Sequence, residues 1–582
     1  MRRLIPFILI LFLATAVATQ TNLRAGGAIF YVATNGSDST GDGSNGNPWA
    51  TIEHAVASVG DNSTILVKPG TYNGRQQITG NFAQGVTIQS ETPYQAILQN
   101  NDRVIVVYGS GGDVSGITIE GFEIRHTGAG SSPLVVHVDG NGDRSVSDIT
   151  FRNNIFHDSY NNDLLKINNS AHDILVEGNM FYNQSGSDEH IDVNSVEDVI
   201  IQDNIFFNDF EGSGRVNNNN TGSFIVIKDS NGSDDFYTGN DNITVRRNIF
   251  FNWAGSTGSN FVLIGEDGQP FFESRNVLVE NNLMLGNSSN VMRAPFGVKG
   301  GRDVIFRHNT VVGDLPALAF AMRLNQEGSN PANQNIQFFN NIWSDASGTM
   351  GSTGSGSNDF SDTPIGETTS FSLDNNLYWN GGTAVPTDSN ELINYTDDAN
   401  GVVANPILAN QTTLTIPRWN GTLFNDGSSS IEEVFVDMVN RYGTPGASSV
   451  VIDGGSNSNS SSEDILGNPR NNPDIGAVEF QATANLSGVT DDQTIALTWT
   501  VNTNLPSGAT WTVSYSGTPG DQPSPITGLA RNTRAYTLTG LTNYETYEVT
   551  VTAVDGAIEL FSDTATFTPS DIKLSLPIIV RE

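Results

Sequence analysis

Between Asp148 and Trp343 the chain repeats one short pattern of apolar and polar positions. Asp148-Ile-Thr-Phe-Arg-Asn-Asn-Ile-Phe156 returns as Asp173-Ile-Leu-Val-Glu-Gly-Asn-Met-Phe181 and Asp198-Val-Ile-Ile-Gln-Asp-Asn-Ile-Phe206. Looser copies begin at Asn242, Asn276, Asp303 and Asn335. The first two steps are 25 residues each, and a period of that length marks a solenoid. Inside each unit apolar residues alternate, as Ile149 with Phe151 or Ile174 with Val176. That is the period of a strand with one face inward, and the runs are too short for helices. One Asn recurs in every unit: Asn154, Asn179, Asn204, Asn248, Asn282, Asn309 and Asn341. Stacked Asn side chains hydrogen-bond along a column at a tight bend, and Asn tolerates the left-handed backbone such a bend needs. The pattern predicts an all-β chain, a right-handed parallel β-helix solenoid followed by a small β-sandwich.

The ends carry other patterns. Arg2 and Arg3, the apolar run Leu4 to Leu13 and Ala16-Val17-Ala18 read as a secretory signal peptide over 1–18, too short to span a bilayer. Ile52, Ala55, Val56 and Val59 fall on one helical face after Pro48, predicting a short helix that plugs the open end of the solenoid. This stretch resembles the opening of many bacterial β-helix proteins, and the β-helix is expected over 28–480. Val451 to Phe480 resembles the ending of such proteins and is expected to close the C-terminal end. From about Gln481 short alternating strands follow. Trp499, Leu541 and Tyr547 give the segment 482–569 a resemblance to a fibronectin type III module, a β-sandwich. The remaining 570–582 is an apolar tail, either a surface-retention signal or a last strand.

Composition narrows the partners. The chain holds 63 Asp+Glu against 27 Lys+Arg, a formal net charge of −36, and 0 Cys. A surface so acidic argues against nucleic acid and anionic membrane. Without Cys there is neither a disulfide nor an acylation site for a lipoprotein anchor. No segment after the leader reads as a membrane span. The expectation is a secreted, extracellular or cell-surface protein, taken as a monomer, whose partner is a polysaccharide or cell-surface glycan.

Aligning the coils on the repeated phrase also aligns a second strand of each. Lys166 then shares a column with Asp192, and Asn168 with Asn194 and Lys228; Asn169, Ser195, Asp229 and Glu266 form a third. Asp188, Glu189 and His190 enter the same face from the preceding loop. Alternating ion pairs on a solvated face account for such a list as readily as a site does, and Lys166 with Asp192 is one such pair.

Gly186-Ser-Asp-Glu-His-Ile-Asp-Val-Asn-Ser195 resembles the calcium-binding and catalytic segment of the polysaccharide lyase family that contains alginate lyases and chondroitinase B. Glu189 matches the second acidic position of that family's Gly-Glu-x-Glu pattern. Ser187 replaces the first, with Asp188 beside it, and Asn194 stands where the family has its catalytic Lys. The resemblance implies eliminative cleavage of a uronic-acid polysaccharide with Ca²⁺ as cofactor. Its metal candidates are Asp188, Glu189 and Asp192. The candidates for catalysis are Lys228, Lys166 and His190, a lysine base needing a lowered pKa. Asn168, Asn194, Arg293 and Arg323 are candidates for substrate binding, Arg offering a fork to carboxylates. Two rivals remain. A glycoside hydrolase would use Glu189 and Asp192 as paired carboxylates, although the motifs of β-helical polygalacturonases are absent, as is the Trp-Ile-Asp-His phrase of the main pectate lyase family. A non-catalytic glycan binder or adhesin fits the acidic surface and the terminal module equally well.

Overall fold

A computed structural model describes residues 27–572 except 110, 187, 216–220, 233, 252–257, 287–291, 314–318, 351–358, 413, 504, 506–507 and 557. The expected leader and the end of the apolar tail lie outside these residues. Three parallel sheets run the length of a β-helix. In each regular coil a strand of sheet A is followed by a short strand of sheet B and then one of sheet C. Val146–Arg152, Ile155–His157 and Leu165–Asn168 are one such turn, and His172–Glu177 begins the next. Sheets A and B have 12 strands each and sheet C has 10.

The bend between sheets A and B explains the recurring Asn. Asn179 Nδ2 donates to Asn204 Oδ1 (3.0 Å), Asn204 to Asn248 (3.0 Å) and Asn248 to Asn282 (3.0 Å). Each Nδ2 also reaches a main-chain carbonyl, as Asn248 does that of Ile201 (3.0 Å). The column runs from Asn154 to Asn376, where the Asp398 carboxylate accepts its last donor (2.8 Å). The left-handed backbone, however, belongs to the residue before each ladder Asn: Asn153, Asp203, Arg247, Asn281, His308 and Asn340 have φ between 52° and 60°. A second left-handed position explains why the phrase opens on Asp or Asn. Asp148, Asp173, Asp198, Asn242, Asn276, Asp303 and Asn335 have φ of 51° to 57°, a conformation these residues accept more readily than others.

The inward positions build one continuous core. Phe156, Phe181, Phe206 and Phe250 stack with centroids 4.6, 5.0 and 4.9 Å apart. At the N-terminal end the helix spans Ile52–Ser58 and buries Ile52, Ala55 and Val56; Thr51 caps it, accepting from His54 N. Val385 and Ile393 join the core at the other end.

The segment expected to close that end, Val451 to Phe480, packs Val451 and Ile475 against Ile342 and Leu377 of the last coils and belongs to a longer stretch. Residues 404–480 turn back along the outside of sheet B and cover its apolar outer face. Trp419, Phe424, Val434, Phe435 and Met438 pack into one cluster with Tyr94, Tyr182, Phe207 and Phe251. Polar staples fix this strap at several heights: Gln95 Nε2 to Gly421 O (3.0 Å), Arg418 Nε to Asp209 Oδ2 (3.0 Å) and Arg470 Nη2 to Asn281 Oδ1 (3.1 Å). The reason lies in sheet B, whose short strands alternate apolar residues on both faces. Ile155 and Ile205 face outward and need cover.

The C-terminal unit is a β-sandwich of one three-stranded and one four-stranded antiparallel sheet, with Trp499, Trp511 and Tyr547 in its core. Tyr547 OH accepts from Thr542 N (2.8 Å), tying the strand Tyr547–Asp555 to its own corner.

Candidate functional site

The site lies on the outer face of sheet C. Leu165, Ile167, Ile191, Val193, Ile225 and Ile227 fill the inward positions and are all fully buried. Alternation therefore turns Lys166, Asn168, Asp192, Asn194, Val226 and Lys228 outward. The register is the one the repeated phrase implies: Lys166 opposite Asp192, and Asn168, Asn194 and Lys228 in one column. Successive coils are about 4.8 Å apart, so column neighbours touch.

Lys166 Nζ is ion-paired with Asp192 Oδ2, as the solvated-face reading anticipates. Lys228 Nζ reaches Glu266 Oε2 at 2.7 Å. Asn168 Oδ1 lies 2.9 Å from His137 Nε2, and Asn194 Nδ2 donates to Ser230 Oγ (2.6 Å). Glu273 is buried and holds the loop that carries Glu266. Its carboxylate accepts from the main-chain N–H of Glu266 (3.0 Å), Asp267 (3.1 Å) and Gln269 (3.2 Å).

Beside these columns is a cage of acids. One carboxylate oxygen each from Asp163, Asp188 and Glu189 lie within 4.8 Å of one another. Asp163 Oδ1 accepts from Glu189 N (3.2 Å), and Asn162 Nδ2 donates to Asp188 Oδ2 (2.5 Å). Glu189 is only 2% exposed, and its Oε2 has no hydrogen-bond partner among the described residues. A buried carboxylate oxygen left bare is costly unless something positive approaches it. Hard divalent cations take oxygen ligands at about 2.3–2.6 Å, a radius that spans such a triangle. The residues thus fit a Ca²⁺-like ion, with Asp163 in the set. Asp192, expected there, is instead engaged by Lys166, although its Oδ1 is bare.

The charges perturb one another strongly. Burial, with Asp163 next to it, holds the Glu189 carboxyl well above its ordinary range. Burial and Asp192 raise Asp163 to about 7, and burial raises Asp188. Burial alone would lower the lysines. The surrounding carboxylates overcome it, Asp192 and Asp163 raising Lys166 and Asp192, Glu189 and Glu266 raising Lys228 well above the ammonium range. Both lysines therefore stay charged. They suit neutralisation of an anion and lack the lowered pKa expected of a base.

His190 does not reach the groove. It sits inside the coil, its ring 4.5 Å from that of Phe224 and its Nε2 3.0 Å from Asn208 Oδ1, and burial drops it to about 3. The corner before the strand turns Leu164 and His190 inward, so the expected catalytic role fails on access. Arg323 does share the column of Lys166 and Asp192, four coils above Asp192 beyond Val226, Leu263 and Gly297. Its guanidinium pairs with Asp362 (2.7 Å). Arg293 is exposed on the same sheet, at the start of the strand Met292–Lys299. The Glu189–Asp192 pair of the hydrolase reading is almost fully buried, each at 2% exposure.

No family model matches the chain, and no curated protein matches it. Among solved structures it is similar to XylC in complex with xylose, at 11% identity and TM-score 0.39 over 66% of this chain and 87% of that one. Pectate lyase Pel9A is 17% identical with TM-score 0.38, covering 78% and 97%. A rhamnogalacturonan lyase is 13% identical with TM-score 0.34, covering 70% and 98%. No helix among the described residues is long and apolar enough to cross a membrane.

Proposed function

We propose that this is a secreted, carbohydrate-active β-helix protein that cleaves a uronic-acid polysaccharide by β-elimination on the outer face of sheet C. The observation that carries the reading is the bare, buried Glu189 oxygen in the Asp163–Asp188–Glu189 cage, next to two ammonium groups that neighbouring acids keep charged. Elimination removes the proton on the carbon that bears the carboxylate, so negative charge grows on that carboxylate in the transition state. Fixed cations aimed at it stabilise that charge more than the ground state. Lys166 and Lys228 supply it from adjoining columns, with Asn168 beside Lys228's column partner Asn194, whose own amide is held at both atoms by Ser230. Asp163, Asp188 and Glu189 would hold Ca²⁺, which supplies further positive charge beside the substrate carboxylate. Lys166 and Lys228 keep part of their side chains exposed on this face, and Arg323 lies about 19 Å up the same column, at four coil spacings from Asp192. We read the C-terminal sandwich as a fibronectin type III spacer or adhesion module.

The test is to mix purified protein with alginate, pectate, chondroitin and ulvan, with Ca²⁺ or with chelator. Ultraviolet absorbance then follows the conjugated double bond that elimination leaves. A cation-dependent rise that falls at least tenfold in Lys228→Ala is expected. A rise untouched in both Lys228→Ala and Lys166→Ala would remove the lysines from the site.

A further inference from the structure

One coil below Lys166, in the same outward column, stands His137, in the strand Val136–Asp139. Val136 and Val138 are fully buried and point inward, so His137 faces the groove, 8% exposed. Its Nε2 lies 2.9 Å from Asn168 Oδ1. An amide oxygen only accepts, so Nε2 carries the hydrogen and the lone pair belongs to Nδ1. No described residue donates to Nδ1. Asp139 Oδ2 lies 3.9 Å from Nε2, close enough to steady a positive ring.

Accepting the eliminative reading above, we infer that His137 is the base that takes the proton from the uronate ring, through Nδ1. The geometry of the substrate carries this. In a uronate the acidic C–H and the carboxylate share one carbon, so the base and the cation that neutralises the carboxylate must be near neighbours. His137 and Lys166 occupy adjoining coils in one column, about 4.8 Å apart at the backbone. Lys166 and Lys228 are both tied up as charged ammonium groups by acids. His137 is the outward side chain of these columns with a nitrogen lone pair to offer. The step balances without a co-reactant. The C5–H bond breaks and its proton passes to Nδ1, its electron pair forms the C4–C5 double bond, and the C4–O bond breaks. The leaving oxygen takes a proton from water, and the imidazolium returns its own to solvent. Burial, outweighing Asp139 and Asn168, with Arg103 and Lys166 in support, holds the ring below its ordinary value, which keeps it neutral and ready to accept at neutral pH.

The test is His137→Gln, which can still donate to Asn168 and fills similar space but offers no basic nitrogen. A positioned base contributes about 10²- to 10⁴-fold. Cleavage of the active polyuronide is expected to fall at least a hundredfold, with Ca²⁺ uptake and polymer retention unchanged. In the wild type kcat/KM should fall on acidification as His137 gains its proton, among Asp139, Arg103 and Lys166, and that limb should vanish from any residual activity of the variant. Cleavage by His137→Gln within a few-fold of wild type overturns the assignment while leaving the lyase reading in place. No unsaturated product from the wild type on any polyuronide overturns both.

Discussion

Asn248→Ala is the sharpest probe of what holds the coils together. The side chain is fully buried, and five hydrogen bonds end on it. Its Oδ1 accepts from Asn204 N (3.0 Å) and Asn204 Nδ2 (3.0 Å); its Nδ2 donates to Ile201 O (3.0 Å), Arg246 O (3.0 Å) and Asn282 Oδ1 (3.0 Å). Truncation leaves the Asn204 amide facing a void, where an unmet buried donor costs about 1–3 kcal/mol. The Asn204 side chain keeps Val176 O, and Asn282 Oδ1 keeps Asn248 N, so those groups lose only part of their satisfaction. With about 1 kcal/mol for each of the four remaining bonds, the whole change comes to roughly 5–7 kcal/mol. Chemical denaturation should show the loss as an earlier transition. Hydrogen exchange should find the Asn204 amide deprotected while strands several coils away keep their protection, because a solenoid couples mainly neighbours. A cost below about 1 kcal/mol, or unchanged protection of that amide, would mean that the ladder decorates the bend without holding it.

Two further outcomes follow from the charges. His157 is buried between Glu123 (3.2 Å) and Asp158 (2.8 Å); burial lowers its pKa, but the two carboxylates outweigh this and bring it to about 8 from 6.5. A raised folded-state value means stability fully present below about pH 6.5 and lost as pH rises through about 8, worth about 2 kcal/mol. Denaturation midpoints of wild type and His157→Phe should differ in pH slope over that window, and equal slopes would refute the pairing. Glu189→Gln removes one of three carboxylates from the cage and should weaken Ca²⁺ uptake, read by calorimetry, by tenfold or more. Unchanged uptake would place the ion elsewhere.

The solenoid is legible in the sequence because its signal is local and repeated: an apolar alternation, a bend Asn and an Asp or Asn opening each unit. The register of sheet C follows from it, so Lys166, Asp192, Asn194 and Lys228 fall into their columns correctly. What escapes is whatever depends on a corner. Asp163 lies two residues before the strand Leu165–Asn168, yet its 26-residue spacing to Glu189 is the same as that from Leu164 to His190. His190 looks polar and available, but the corner turns it into the aromatic stack. His137 lies in a coil before the phrase becomes regular, although Val136-His-Val138 already alternates and sets its face. The strap over 404–480 is not legible because nothing local says that it runs back; that is dictated by the apolar outer face of sheet B.

Mass spectrometry of polyuronide fragments bears most directly on the proposed eliminase. Elimination leaves a new non-reducing end lighter by one water than the hydrolytic product. That lighter series is expected, formed by wild-type protein with Ca²⁺ and lost on chelation. Fragments that have gained a water, or polymers left intact throughout, would contradict it.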